Sequence, residues 1–321
     1  MRRRRIGEFE LIARYFAPLA KSFPGAGGLL SDNAFLPADA RRDLVVKTDT
    51  VVAGVHFLAD EKPGLVAAKA LRVCLSDLAA GGGEPFAYQL SLSLPTSWSE
   101  RWIAGFARGL AGDQRRYGIV LCGGDTVTTP GPLTVTVTAF GRVPQGRGLT
   151  RGGARAGDRL FVTGTIGDGA LGLLAARGRI KAGALEKRYR LPQPRSGLGP
   201  RLVGIANAVA DVSDGLLADA GHIADASRLA VRIERERVPL SAEGRRVIAA
   251  EPALWANVLG GGDDYELVIA VSPRKETALL AAARAAKVKV TAIGTFARGK
   301  GVELTVAGQP VRAPRKGYVH F

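Results

Sequence analysis

Short runs of β-branched or alternating residues are followed, again and again, by longer runs with helical spacing, and glycines close many of them. That alternation restricts the chain to a mixed α/β fold, in which helices must cover the faces of the sheets they connect. Residues 44–52 read as a strand with Thr48, Asp49 and Thr50 at or past its middle, and 62–80 as a helix ended by the glycines at 81–83. Residues 86–94 alternate at Tyr88, Leu90, Leu92 and Leu94, the pattern of a half-buried strand. Ser97 and Glu100 read as a capping box for a helix running to about Tyr117. A short buried strand over 119–122 is expected to end at Gly123-Gly124-Asp125, and 133–143 reads as another strand.

The Gly/Arg-rich stretch 145–157 marks a boundary between two mixed α/β domains, 1–147 and 148–321. The second is expected to run as strand 159–163, helix 168–177, strand 209–212, helix 215–228, strands 230–234 and 265–271, helix 273–286 and strand 289–295. Residues 192–199 read as a loop.

Composition removes several classes of function. Hydrophobic residues at 46% and charged residues at 23% describe a globular chain, not a disordered one. Two cysteines, Cys74 and Cys122, are too few for a disulfide scaffold or a structural zinc site, which favours a reducing compartment. No stretch approaches the roughly 20 apolar residues of a membrane span. Gly7, Glu8 and Glu10 follow the Arg2–Arg5 cluster where a signal peptide needs its apolar core, so a cytoplasmic location is expected. The net charge of +16 raises nucleic-acid binding, yet the basic residues are spread along the chain and only 6% is aromatic. A basic surface suits small polyanions such as nucleotides equally well.

The chemistry is carried by aspartates beside glycine or hydroxyl residues: Asp32, Asp49, Asp77, Asp125, Asp211, Asp214, Asp263 and Asp264. Asp77 shares a helix face with Val73 and Ala70 and lies near the helix C-terminus, where the dipole disfavours negative charge. Taken singly, each aspartate is explained by an Arg or Lys partner. Taken as a set, they fit a hard divalent cation held by scattered oxygens around a polyphosphate. Gly123-Gly124 and the run from Gly164 to Gly169 offer backbone N–H groups to an anion, although an ordinary turn explains the second run as well. His56 reads as a ligand contact and His222 as structural. There is no nucleophile elbow and no Walker A loop.

Taken in order, these segments resemble the thiamine-monophosphate kinase family. The resemblance runs through Gly7-Glu8-Phe9, Thr48-Asp49-Thr50 with Gly54-Val55-His56-Phe57, Leu75-Ser76-Asp77-Leu78 and Gly123-Gly124-Asp125-Thr126. It continues through Thr150-Arg151, Asp211-Val212-Ser213-Asp214-Gly215, Gly261-Gly262-Asp263-Asp264-Tyr265-Glu266 and Gly317-Tyr318-Val319-His320-Phe321. It implies a fold of the aminoimidazole ribonucleotide synthetase-like type, and a homodimer formed through a sheet or barrel of the N-terminal domains. It also implies transfer of the ATP γ-phosphoryl group to thiamine monophosphate with several Mg²⁺ ions. By the same resemblance, Asp32, Thr48, Asp49, Asp77, Asp125, Asp211 and Asp214 would hold Mg²⁺. Gly124, Asp125, Arg151 and Ser213 would bind ATP, and His56, Asp263 and Tyr318 would lie near the thiamine phosphate.

The chain departs from the family pattern at four positions. Ser31-Asp32 stands where two adjacent aspartates are usual, Lys47 where a small hydroxyl residue is usual, and Asp263 where glutamate is usual. Some members carry an aromatic in place of Arg315. Two other readings remain open: a related ATP-dependent enzyme acting on another small substrate, or a basic nucleic-acid-binding protein on the same fold.

Overall fold

Strand β1 (Arg42–Val52) divides its residues between two environments, as the two-residue period of a strand requires. Val45, Lys47, Asp49 and Val51 turn to a covered face, while Leu44, Val46, Thr48 and Thr50 are exposed. β1 pairs antiparallel with β4 (Thr134–Pro144), which pairs antiparallel with β2 (Glu84–Pro95), and β2 pairs parallel with β3 (Val120–Thr129). The result is an open four-stranded sheet in the order β1-β4-β2-β3. The barrel expected of the N-terminal domain is therefore not closed within one chain. The computed structural model describes residues 6–30, 33–313 and 317. Expectations for Ser31, Asp32, Arg315 and Tyr318 lie outside the described residues.

Ahead of β1 lie two short helices, α1 (Glu8–Leu11) and α2 (Ala17–Ala20), joined by a π-type turn. Helix α3 (Pro63–Ala80) is buried from Val66 to Ser76, as its nearly continuous apolar sequence demands. Helix α4 (Glu100–Tyr117) buries only the stripe Ile103, Phe106, Ala107, Leu110 and Asp113. Its cap is Ser99 and not Ser97: the Trp102 amide donates to Ser99 Oγ at 3.2 Å. The two helices touch where side chains are missing, since a Cβ on Gly109 would lie 2.7 Å from the Gly64 carbonyl oxygen. Beside this contact, Arg72 donates to both oxygens of buried Asp113 at 2.7 Å. β3 does not stop at Cys122 but runs on through Gly123-Gly124-Asp125 to Thr129. Gly124 permits this: at φ +153, its Cβ would sit 1.8 Å from the Leu90 carbonyl oxygen of β2.

The chain divides into two compact units, Met1–Leu78 with Glu84–Gly146, and Ala79–Gly83 with Arg147–Phe321. The second unit carries a mixed seven-stranded sheet in the order β11-β10-β7-β9-β5-β8-β6. In chain order its elements are β5 (Arg159–Thr163), α5 (Asp168–Ala176), α6 (Gly183–Arg190), β6 (Ala208–Asp211), α7 (Leu216–Ala226) and β7 (Ala230–Glu234). There follow α8 (Ala242–Ala250), α9 (Trp255–Gly260), β8 (Leu267–Val271), α10 (Glu276–Ala285), β9 (Val290–Ala297), β10 (Gly301–Val306) and β11 (Gln309–Val311). Alternate residues of the central strands enter two cores. Leu160, Val162, Ala210, Val268 and Ala270 pack with Leu171 of α5 and Leu216 and Leu217 of α7. Phe161, Val209, Leu267, Ile269 and Val271 pack with Leu279 of α10 and with Leu198 and Leu202.

Helices α6, α8 and α9 and strands β10 and β11 are absent from the sequence expectations. α6 buries only Leu185 and Tyr189 among charged neighbours, and α8 only Gly244, Val247 and Ile248, too little to show a period. β8 starts at Leu267 and not at residue 265, because Tyr265 has φ +52 and cannot continue a strand.

The Arg72–Asp113 pair is buried, with side chains 8% and 6% exposed. Asp113→Ala leaves the guanidinium without its carboxylate and is expected to lower stability by about 3–5 kcal/mol, measured by urea denaturation. A double variant, Arg72→Met with Asp113→Leu, is expected to recover most of that loss.

Candidate functional site

Two carboxylates of the first unit converge on one cation. Asp49 points from the covered face of β1 and Asp77 from the last turns of α3. Lys47 Nζ lies 3.2 Å from Asp49 Oδ1 and 3.3 Å from Asp77 Oδ2. Burial works against the charge on Lys47, but Asp77 and Asp49 outweigh it and hold the ammonium pKa above its usual value. The second oxygen of Asp49 accepts from the Cys74 thiol at 3.4 Å. Burial and the neighbouring Asp49 charge push that thiol well above its ordinary range, so it stays protonated and unreactive. His56 follows the same strand, and its Nδ1 accepts from the Val52 amide at 3.0 Å. That bond fixes the ring proton on Nε2 and makes His56 a donor.

Thr48 and Asp125 do not join this group. Thr48 lies on the opposite face of β1, and its hydroxyl bonds to Thr138 Oγ1 at 2.9 Å. Register sets Asp125 in the row Thr50–Thr136–Ser91–Asp125 across the same exposed face. Its Oδ1 accepts from the Thr126 amide at 2.8 Å. Gly124 lies inside β3, where a Cβ would meet the Leu90 carbonyl oxygen of β2, and not at a loop.

The second unit brings another group together by extending the β6–β8 pairing beyond both strands. The Asp263 amide donates to the Ser213 carbonyl at 3.0 Å and the Tyr265 amide to the Val212 carbonyl at 2.8 Å. A Cβ on Gly262 would lie 1.9 Å from the Ser213 carbonyl oxygen, so only glycine allows this approach. Asp211 at the end of β6, and Ser213 and Asp214 on the loop after it, are thereby held beside the loop that carries Asp263. Asp263 and Tyr265 have φ of +70 and +52, conformations that cost about 1–3 kcal/mol each. Tyr265 Oη donates to Asp263 Oδ1 at 3.0 Å, which fixes the carboxylate of that loop. Thr150 beside Arg151 accepts the Val209 amide of β6 through its carbonyl at 2.9 Å, anchoring the Arg151 segment to this edge of the sheet.

Asp219 and Asp264 acquire roles that sequence reasoning did not assign. Asp219 Oδ2 accepts the amides of Ser213, Asp214 and Gly215 at 3.1, 3.1 and 3.0 Å. Its Oδ1 is buried with no hydrogen-bond partner. Burial, reinforced by the Asp214 charge, pushes its pKa up to about 7. Ligand atoms of Asp214, Asp219 and His222 all lie within 4.8 Å of one another. The available signal was an aspartate four residues after Gly215, at the distance from which a first-turn carboxylate reaches back to the helix start.

Asp264 takes the amides of Gly167 at 2.6 Å and Gly169 at 2.8 Å. The run from Gly164 to Gly169 is thus not a phosphate cradle: the carboxylate of Asp264 already fills the mouth of α5. Below it, buried Glu266 accepts from Thr163 Oγ1 at 2.6 Å, Arg188 at 3.0 Å and Arg195 Nε at 2.6 Å.

The donors suit Mg²⁺, a hard cation that prefers carboxylate oxygens. Asp49 and Asp77 already converge where a cation sits, and Asp219 keeps an unmatched buried oxygen beside Asp214.

Asp264→Ala strands two buried amides, and each is expected to cost about 1–3 kcal/mol in urea denaturation. Burial pushes Asp264 from 3.8 up to about 8, although the Gly169 and Gly167 amides pull the other way. The unfolded chain therefore releases this proton first, and the contribution of Asp264 to stability is full below 3.8 and falls as pH rises toward about 8. The downward slope over that interval is expected to be shallower in Asp264→Ala than in the wild type.

Known proteins match this chain over both units. Residues 30–143 match the N-terminal domain, and 155–307 the C-terminal domain, of the AIR synthase related proteins. The thiamine-monophosphate kinase of Caulobacter vibrioides is 48% identical over 318 residues, 98% of this chain and 90% of that relative. The crystal structure of thiamine-monophosphate kinase from Stenotrophomonas maltophilia K279a superposes with a TM-score of 0.84 at 37% identity, covering 95% of this chain and 98% of that one. AaThiL complexed with AMPPCP and TMP superposes with a TM-score of 0.78 at 30% identity over 100% of both chains. Likeness of this extent, reaching over both units, makes the chain a member of the thiamine-monophosphate kinase family within the AIR synthase related proteins.

Proposed function

We propose that this protein transfers the γ-phosphoryl group of ATP to thiamine monophosphate, giving thiamine diphosphate and ADP. The observation that carries the proposal is the full-length likeness to thiamine-monophosphate kinases, one of them solved with AMPPCP and TMP bound. The aspartates and Arg151 have the chemistry this reaction needs. A phosphate oxygen of thiamine monophosphate is ionised at neutral pH and serves as the nucleophile. It forms the bond to Pγ as the bond from Pγ to the β,γ-bridging oxygen breaks, and ADP leaves with that electron pair. No protein base is required, and catalysis consists of placement and charge neutralisation.

Asp49, Asp77, Asp125, Asp211 and Asp214, with Asp32 and Thr48, are the residues that would hold Mg²⁺. When bound, Mg²⁺ neutralises the charge on two polyanions that would otherwise repel each other. Arg151 adds a fixed positive charge for ATP phosphates, and Gly124, Asp125 and Ser213 are the other residues that the family resemblance assigns to ATP. His56 presents its Nε2–H as a donor for the substrate phosphate. Asp263, held by Tyr265, and Tyr318 contact thiamine monophosphate. Cys74 and Cys122 are buried free thiols, in keeping with a reducing cytoplasm. No helix of the described residues is long and apolar enough to cross a membrane.

The partner of the exposed sheet face is a second copy of this chain. Leu44 and Val46 are 50% and 55% exposed there, and Val127 is 47% exposed at the far edge. Exposed Leu44, Val46 and Val127 on a sheet face otherwise lined by Thr and Ser are the kind of apolar side chains that another surface covers.

Purified protein supplied with ATP, Mg²⁺ and thiamine monophosphate is expected to form thiamine diphosphate and ADP in equal amounts by chromatography. ADP formed without thiamine diphosphate would move the assignment to another substrate. Arg151→Ala is expected to reduce kcat/KM by about a hundredfold. Val46→Asp is expected to convert a dimer into monomers in analytical ultracentrifugation, and an unchanged sedimentation coefficient would refute the dimer face.

A further inference from the structure

Lys47 and Asp49 are two residues apart on β1, so their side chains share the covered face, and α3 presents Asp77 to both. The ammonium touches Asp49 Oδ1 at 3.2 Å and Asp77 Oδ2 at 3.3 Å. Asp49 Oδ2 is already engaged by the Cys74 thiol. Both oxygens of Asp49 therefore have a donor before any metal arrives. The lysine side chain is 34% exposed and those of the two aspartates 27% and 26%, so the cluster is shielded yet open to solvent on one side. A divalent ion binding between these carboxylates at about 2.1 Å from each oxygen would claim the lone pairs that the ammonium now occupies. The two cations exclude each other from one position.

We propose that Lys47 is a resident monovalent cation that fills one cation position between Asp49 and Asp77, so that the chain binds one divalent ion fewer than its carboxylates would otherwise hold. The inference rests on the assignment of Asp49 and Asp77 as metal-holding residues. It makes Lys47 a positioning residue: it keeps the two carboxylates together in the metal-free protein. Charge neutralisation at this point is also independent of the free Mg²⁺ concentration. The remaining ions then serve the phosphates from the other oxygens of the set.

The test counts Mn²⁺ bound to the full-length protein, stripped with EDTA and mixed with a non-hydrolysable ATP analogue, by the electron paramagnetic resonance of the free ion. Lys47→Ser is expected to bind one more Mn²⁺ per chain than the wild type. Lys47→Met, which keeps most of the stem and loses the charge, is expected to match Lys47→Ser, and Lys47→Arg to match the wild type. Without metal, the Tm of Lys47→Ser is expected to fall by about 2–4 °C and to recover on adding Mg²⁺. Equal Mn²⁺ counts in the wild type, Lys47→Ser and Lys47→Met overturn the inference while leaving the metal assignment intact. If Asp49→Asn and Asp77→Asn bind as many Mn²⁺ ions as the wild type, the assignment beneath it is overturned instead.

Discussion

A carboxylate removed from water must find donors or a cation, and the site regions of both units are arranged around that requirement. In the second unit the donors are backbone amides. Asp219 gathers three of them at the start of α7 and Asp264 gathers two at the start of α5. The Gly215, Gly167 and Gly169 amides are groups a helix leaves unsatisfied at its N-terminus, and those of Ser213 and Asp214 belong to the loop that leads into α7, so each aspartate settles a deficit of the backbone while meeting its own. With the mouth of α5 filled by the chain itself, its amides are not left to bind phosphate.

In the first unit the same requirement is met by Lys47, not by the backbone. The contrast follows from location. Asp49 lies in mid-strand, where its neighbours' amides belong to the ladder with β4, and Asp77 lies at the end of α3 that exposes carbonyls. Neither can recruit amides, so a cation is the available partner. Glu266 is an intermediate case, deeply buried and held by Arg188, Arg195 and Thr163 as a scaffold beneath the loop that carries Asp263.

Much of this was legible in the linear pattern. The elements from β1 to β4 and the central strands of the second sheet follow from period and glycine punctuation, because burial on one or both faces leaves a clear mark. Convergence was partly legible: Asp77 stood out as a carboxylate on the wrong end of a helix, and it does have a cation. The remainder depended on pairing across long sequence distances. Gly123-Gly124 reads as the end of a short strand because nothing in the local sequence announces the 1.8 Å approach to Leu90. Thr48 and Asp49 are neighbours in sequence, yet strand alternation sends them to opposite faces. Asp264 stands out in its motif, but nothing local gives it a task, since its partners Gly167 and Gly169 lie almost a hundred positions away.

The backbone contacts between Gly262 and Ser213 have a bearing on redesign. Because the main chains of the two loops meet without intervening side chains, neither can be lengthened, shortened or randomised without dragging the other. Gly54 carries no such constraint, since a side chain added there would meet open space. Diversity introduced at Gly261–Tyr265 would mostly yield chains that no longer assemble this corner of the protein.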